Sequence, residues 1–237
     1  MDSAFAATRS DSIRRWISVA SIGLALLGLL TGCGGGSGSA PVAPTAAGDL
    51  SSLLSSAQAA LDANNLPAAE QDFRAAVARD SRSAQAQFGL GSTLVRLGKL
   101  AEAENAFKAA LAADPNMAAA HSNLGVVYYQ LGQLSKAADE FSAALKVSPN
   151  DATSTYLLGA VRLQEKNLSE AERLLRKASE LDPKLPEPYY GLGALYKQKG
   201  QNAEAIAAFE KFLQIGPGQD PLAVEYAKEE LKSLKGP

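Results

Sequence analysis

The sequence predicts an all-α protein, a solenoid of about five helix-turn-helix repeats of 34 residues closed by a C-terminal capping helix, and three observations carry that expectation. First, Pro115, Pro149, Pro183 and Pro217 are evenly spaced by 34 residues, and one further step back lands on Ser81. Second, the frames this spacing defines carry the same residue types at the same places. Third, 45 of the 237 residues are alanine and only 6% are aromatic, a composition suited to helices packed closely through small side chains. An all-β fold is therefore excluded. A formal charge of -2, with no block of five or more Lys/Arg, provides no electrostatic footprint for nucleic acid. Cys33 and His121 are each the only residue of their type, so neither a disulfide within the chain nor a Cys/His metal site can be built.

Taken in order, the first element is an address. Arg9, Arg14 and Arg15 precede an apolar run from Trp16 to Leu30 that only Ser18 and Ser21 interrupt. About 15 apolar residues fall short of the roughly 20 that span a bilayer, so a signal peptide over residues 1–32 is predicted in place of a transmembrane helix. The run ends in Leu30-Thr31-Gly32-Cys33, which resembles the bacterial lipobox. The resemblance implies cleavage after Gly32, a diacylglycerol thioether on Cys33, and fatty acylation (palmitate-type) of the new amino terminus. Several acyl chains anchor stably where one is marginal. It also implies the cell envelope as location. Gly34, rather than Asp, follows the cysteine, which points to the outer membrane where one exists and otherwise to the outer face of the cytoplasmic membrane. Residues 33–49 are rich in Gly, Ser, Pro and Ala and hold no core-forming side chain, so they read as a tether reaching roughly 20 Å.

The repeat frames follow: 50–83, 84–117, 118–151, 152–185 and 186–219. Their eighth position reads Ala57, Gly91, Gly125, Gly159 and Gly193. The twentieth is alanine throughout, at Ala69, Ala103, Ala137, Ala171 and Ala205, and the twenty-fourth is Phe73, Phe107, Phe141, Leu175 and Phe209. Small residues at eight and twenty let two helices approach, and the large residue at twenty-four fills the space that remains. Leu124, Val127, Tyr128 and Leu131 recur at helical spacing in a first helix, and Ala137, Phe141, Ala144 and Leu145 in a second, so both are expected to be amphipathic. Gly98, Gly132 and Gly200 sit where the first helix must turn. Beyond Pro217, Asp220 and Pro221 open a final helix, residues 220–237, with an expected apolar stripe of Val224, Ala227, Leu231 and Leu234 opposite Glu225, Lys228, Glu229, Lys232 and Lys235.

These positions resemble the tetratricopeptide repeat, whose pattern is W-x2-L-G-x2-Y…A-x3-F…P. The resemblance implies a right-handed stack of helical pairs. It departs at position four, where Leu53, Gln87, His121, Thr155 and Tyr189 stand in place of the family's Trp, and it is weakest in frame one, with Ser56, Ala57 and Ser81.

No catalytic motif accompanies the repeats. G-x-S-x-G, P-loop, H-E-x-x-H and dinucleotide fingerprints are absent from the sequence. Glu102, Glu104, Asp139 and Glu140 are expected on solvated helix faces, and His121 is read as structural. The sequence therefore predicts no enzyme, no cofactor, no metal and no small-molecule substrate. The resemblance implies protein partners, held on a concave face built from first-helix positions 2, 5, 9, 12 and 13. Those and adjacent positions bring forward Phe88, Arg96, Asn123, Tyr129, Gln130, Tyr156, Gln164, Tyr190 and Gln198 as the partner-binding residues. Of the family's clamp for C-terminal carboxylates only Asn123 matches, with Phe88, Ser92, Thr153 and Leu157 at neighbouring clamp positions, so an uncharged or weakly charged extended or helical segment is expected instead. The functional expectation is a membrane-anchored lipoprotein scaffold or adaptor of the bacterial cell envelope, serving assembly of an envelope, pilus or secretion complex. The alternative is a non-catalytic regulatory subunit of an envelope enzyme complex such as a cell-wall hydrolase or synthase.

Overall fold

The computed structural model describes residues 48–216 and 220–236. The signal peptide, Cys33, nearly all of the tether and Pro217 lie outside them. The described residues form eleven α-helices and no strand: α1 (Leu50–Asp62), α2 (Leu66–Arg79), α3 (Ala84–Arg96), α4 (Leu100–Ala113), α5 (Ala118–Gln130), α6 (Leu134–Val147), α7 (Ala152–Gln164), α8 (Leu168–Leu181), α9 (Glu187–Gln198), α10 (Asn202–Ile215) and α11 (Pro221–Lys235). The fold is an all-α solenoid built of helical pairs.

Each pair is closed by the same turn. The residue at frame position fifteen takes a left-handed conformation every time, as Gly98, Gly132 and Gly200 at φ +75°, +73° and +72°, and as Asn64 at 56° and Lys166 at 61°. The next residue then donates its N–H to a carbonyl five residues back, as in Lys99 to Leu94 at 2.9 Å and Asn167 to Arg162 at 2.9 Å. This closure satisfies carbonyls that the helix end leaves open. Helix starts are capped by side chains where the sequence offers them: Asp49 accepts from the Ser52 N–H at 2.8 Å, Asp151 from Ser154 at 2.9 Å and Asp220 from Leu222 at 2.9 Å.

Two compact units divide the described chain within α5, one ending at Val127 and the other beginning at Tyr128. In the first, α1 packs on α2, α2 on α3 and α3 on α4, with Leu53, Ala76 and Ala86 forming a core where α1, α2 and α3 meet. In the second, α6 packs on α7, α7 on α8, α8 on α9, α9 on α10 and α10 on α11. All five alanines at position twenty are fully buried, and so are Phe107, Phe141, Leu175 and Phe209. The close approach occurs in both units: a Cβ placed on Gly91 would lie 2.8 Å from the Phe107 ring, and one on Gly193 would lie 2.6 Å from that of Phe209.

Two expectations about helix faces are corrected. The first helices are not simply amphipathic, because residues 89–95 and 154–161 are buried without interruption. A first helix is covered both by its own second helix and by the preceding one, as α3 is by α4 and α2. Their buried hydroxyls turn back on the backbone, Thr93 to the Gly89 carbonyl at 2.8 Å and Thr155 to that of Asp151 at 2.7 Å. Leu131, counted in the first-helix stripe, lies just past the end of α5 and is exposed. In α11 the covered face is Ala223, Ala227 and Glu230, while Val224, Leu231 and Leu234 are only half-buried. The helix is rotated so that Tyr226 reaches the Tyr190 ring at 5.7 Å and Glu230 pairs with Lys197 of α9. Glu225, Lys228, Glu229, Lys232 and Lys235 are exposed.

Candidate peptide-binding face of the first helices

In the N-terminal unit the predicted residues belong to α3 and α5. Phe88 is half-buried, its ring 5.9 Å from that of Phe107. Asn123 is buried and donates through Nδ2 to the Ser92 hydroxyl at 3.4 Å. Arg96 is tied down by a 2.6 Å bond to the Asn64 side chain, which braces the left-handed turn of the preceding pair. Position four, where the family's Trp is missing, has acquired a different duty. Gln87 donates to the Ser81 carbonyl at 3.3 Å, and the His121 Nε2 lies 3.2 Å from the Pro115 carbonyl. Both side chains fasten the turn between repeats; since a carbonyl only accepts, the histidine contact requires a proton on Nε2.

In the C-terminal unit the polar positions converge. Tyr129, Tyr156 and Tyr190 are each only 2% exposed, so they do not present ring faces to a partner. This corrects the expectation that they are themselves partner-binding residues: they lie beneath the first-helix face, with the Tyr156 and Tyr190 hydroxyls buried. Gln164 donates through Nε2 to the Tyr129 hydroxyl. Burial, then the nearby Glu187 carboxylate and the Tyr129 and Tyr190 phenols, hold the Tyr156 hydroxyl well above the ordinary phenol range. What remains accessible is Gln130 and Gln164, half-buried, and Gln198, exposed.

Glu187 is the site residue that the sequence reading passed over. It occupies position two of the fifth frame, one of the concave positions, and that register was the signal available. The structure leaves it 5% exposed on the first residue of α9. Burial pushes its carboxyl above the usual carboxylate range, and Asp182 adds to the effect. The arrangement offers hydrogen-bond acceptors, amides and one buried acid, a set suited to holding a peptide. Among the described residues no three His, Cys, Asp or Glu side chains are grouped to hold a metal ion, and none of the described helices is long and apolar enough to cross a membrane.

Stacked helical pairs of 34-residue period, with a polar first-helix face, define a repeat module of the kind that typically serves protein interaction. The chain belongs to the tetratricopeptide repeat family: one family model of that description matches residues 54–118, 90–152 and 123–186, and a second matches 162–228. No curated protein matches it. Among solved structures, YrrB, described as a tetratricopeptide repeat protein with an unusual peptide-binding site, is 26% identical over 76% of this chain and 92% of its own, at a TM-score of 0.61. MamA residues 41-end from Desulfovibrio magneticus RS-1 is 24% identical over 73% of this chain and 98% of its own, at 0.65. PilF from Pseudomonas aeruginosa is 22% identical over 78% of this chain and 88% of its own, at 0.66. The last two likenesses speak to the fold alone.

Proposed function

We propose that this protein is a lipid-anchored scaffold of the bacterial cell envelope, which holds a peptide segment of a partner protein against the first-helix faces of its repeats. The observation that carries the reading is the pairing of two features in one chain: a lipobox-like Leu30-Thr31-Gly32-Cys33 ahead of a Gly/Ser/Pro tether, and a repeat stack whose first helices gather amides, phenols and a carboxylate. The likeness to YrrB, with its peptide-binding site, supports the second half. The amides of Gln130, Gln164 and Gln198 offer both donors and acceptors to a peptide backbone without demanding a particular side chain.

Mass spectrometry of the mature N-terminus tests the anchor. A diacylated Cys33 is expected, and an unmodified terminus at any other residue would refute it. Copurification from detergent-solubilised membranes tests the face. Gln130→Arg combined with Gln198→Arg should release the partner while the helical signal is kept, and a partner retained at undiminished affinity would place binding elsewhere on the molecule.

A further inference from the structure

Glu187 is an anomaly within its own protein. Glu70, Glu104, Glu165, Glu172 and Glu230, whose side chains are between 5% and 27% exposed, each carry a Lys or Arg partner within 4.0 Å. Glu187 is as buried as any of them, has no ion pair among the described residues, and leaves its Oε2 without a hydrogen-bond partner. A buried carboxylate in that condition is costly, and such groups in native proteins call for an explanation.

The local sequence explains how the group came to be unsatisfied. A Glu at the start of a helix ordinarily accepts from the free N–H groups of the first turn. Here it stands between Pro186 and Pro188, neither of which has an N–H. The amides of Tyr189 and Tyr190 both go to the Pro186 carbonyl, at 3.1 and 3.2 Å. Only its own amide is left to it. Its other electrostatic neighbours, Tyr156 and Asp182, provide no positive charge. The two prolines therefore hold a carboxylate on the first-helix face and deny it the donors of its own helix.

We propose that Glu187 reads a basic residue of the bound segment: a Lys or Arg side chain enters the first-helix face between α7 and α9 and takes the Glu187 carboxylate as its counter-charge, beside the Tyr156 hydroxyl. The inference rests on the peptide-scaffold reading and sharpens it, replacing a weakly charged partner segment by one with a required cation. A desolvated charge pair of this kind contributes to affinity mainly through the penalty of leaving either partner alone.

The probe is a random 12-residue peptide display library selected on the purified chain, followed by synthesis of a selected peptide and its norleucine counterpart. The expected result is enrichment of Lys or Arg at one position, a loss of about tenfold or more when that residue becomes norleucine, and collapse of this difference in Glu187→Gln. Gln is isosteric with the protonated acid, and circular dichroism checks that the variant folds. A measurement on the unaltered chain stands beside it: the Glu187 carboxyl carbon resonance should move on adding the basic peptide and stay with the norleucine peptide. Peptides that bind without a basic preference, or a basic preference that survives Glu187→Gln, overturn the inference and leave the scaffold reading intact. A library from which the chain enriches no peptide overturns both.

Discussion

The fit of a first-helix glycine over a second-helix aromatic ring can be tested by one methyl group. In Gly91→Ala the new Cβ meets Phe107 Cδ1 and Cε1 at 2.8 Å and Cζ at 3.0 Å. Ordinary carbon contacts lie at about 3.5–4.0 Å, so the ring has to move by roughly 0.7 Å or the helices have to separate. Phe107 is fully buried and cannot simply swing aside. Overpacking of this kind costs about 1–3 kcal/mol, against a gain of about 1 kcal/mol from replacing glycine by alanine inside a helix. The net expectation is a loss of up to about 2 kcal/mol. Frame four is the internal control: a Cβ at Gly159 would meet Leu175 Cγ at 3.1 Å and Leu174 Cβ at 3.2 Å, so Leu175 and the α8 backbone at Leu174 need to yield only a few tenths of an ångström. Gly159→Ala should then lie within about 0.5 kcal/mol of the parent. Urea titration followed by the helical circular dichroism signal measures both, and the pair Gly91→Ala with Phe107→Leu should recover much of the loss attributable to Gly91→Ala. A Gly91→Ala variant as stable as Gly159→Ala, or a double variant with no coupling, would refute the steric account.

Lys166 holds a left-handed turn that glycine fills in three other frames, so Lys166→Gly should raise stability by about 0.5–1 kcal/mol, read as a higher urea midpoint. Lys197→Met removes the Lys197 charge paired with the buried Glu230 carboxylate and should cost about 2 kcal/mol, less than a fully buried pair because Lys197 remains 26% exposed; adding Glu230→Met should return most of it. Glu187 is held above its ordinary value of 4.5 in the fold, so the stability tied to its proton is complete below the unfolded value and fades as pH rises through the higher folded one. Glu187→Gln should therefore gain stability relative to the parent as the pH rises above about 4.5, and a difference that is flat with pH would contradict the assignment.

The pairing of small residue and large filler was legible in the sequence because a repeat writes the same contact several times: an alanine returns in register in all five frames, and the residue that fills the gap is phenylalanine in four of them and Leu175 in the other, a recurrence chance does not mimic. The turns were legible where glycine marked them, but Asn64 and Lys166 adopt the same left-handed geometry without a glycine to announce it. The candidate face was legible as a set of positions and illegible as a surface. Tyr156 and Tyr190 carry polar tips on large rings, and a one-dimensional pattern cannot say whether such a ring lies on a groove or beneath it; the helices packed on both sides of α7 and α9 place them beneath. Glu187 and Glu230 make the same point for charge. Both are buried glutamates, yet one meets Lys197 from a helix more than thirty residues away, while the other is deprived of helix donors by its flanking prolines. By itself the sequence determined the period, the helices and the small-against-large core, because those depend on spacing along the chain. Tertiary structure decided which polar groups are buried and which find a partner, because desolvation and ion pairing depend on neighbours that only the packing of one repeat on the next brings within reach.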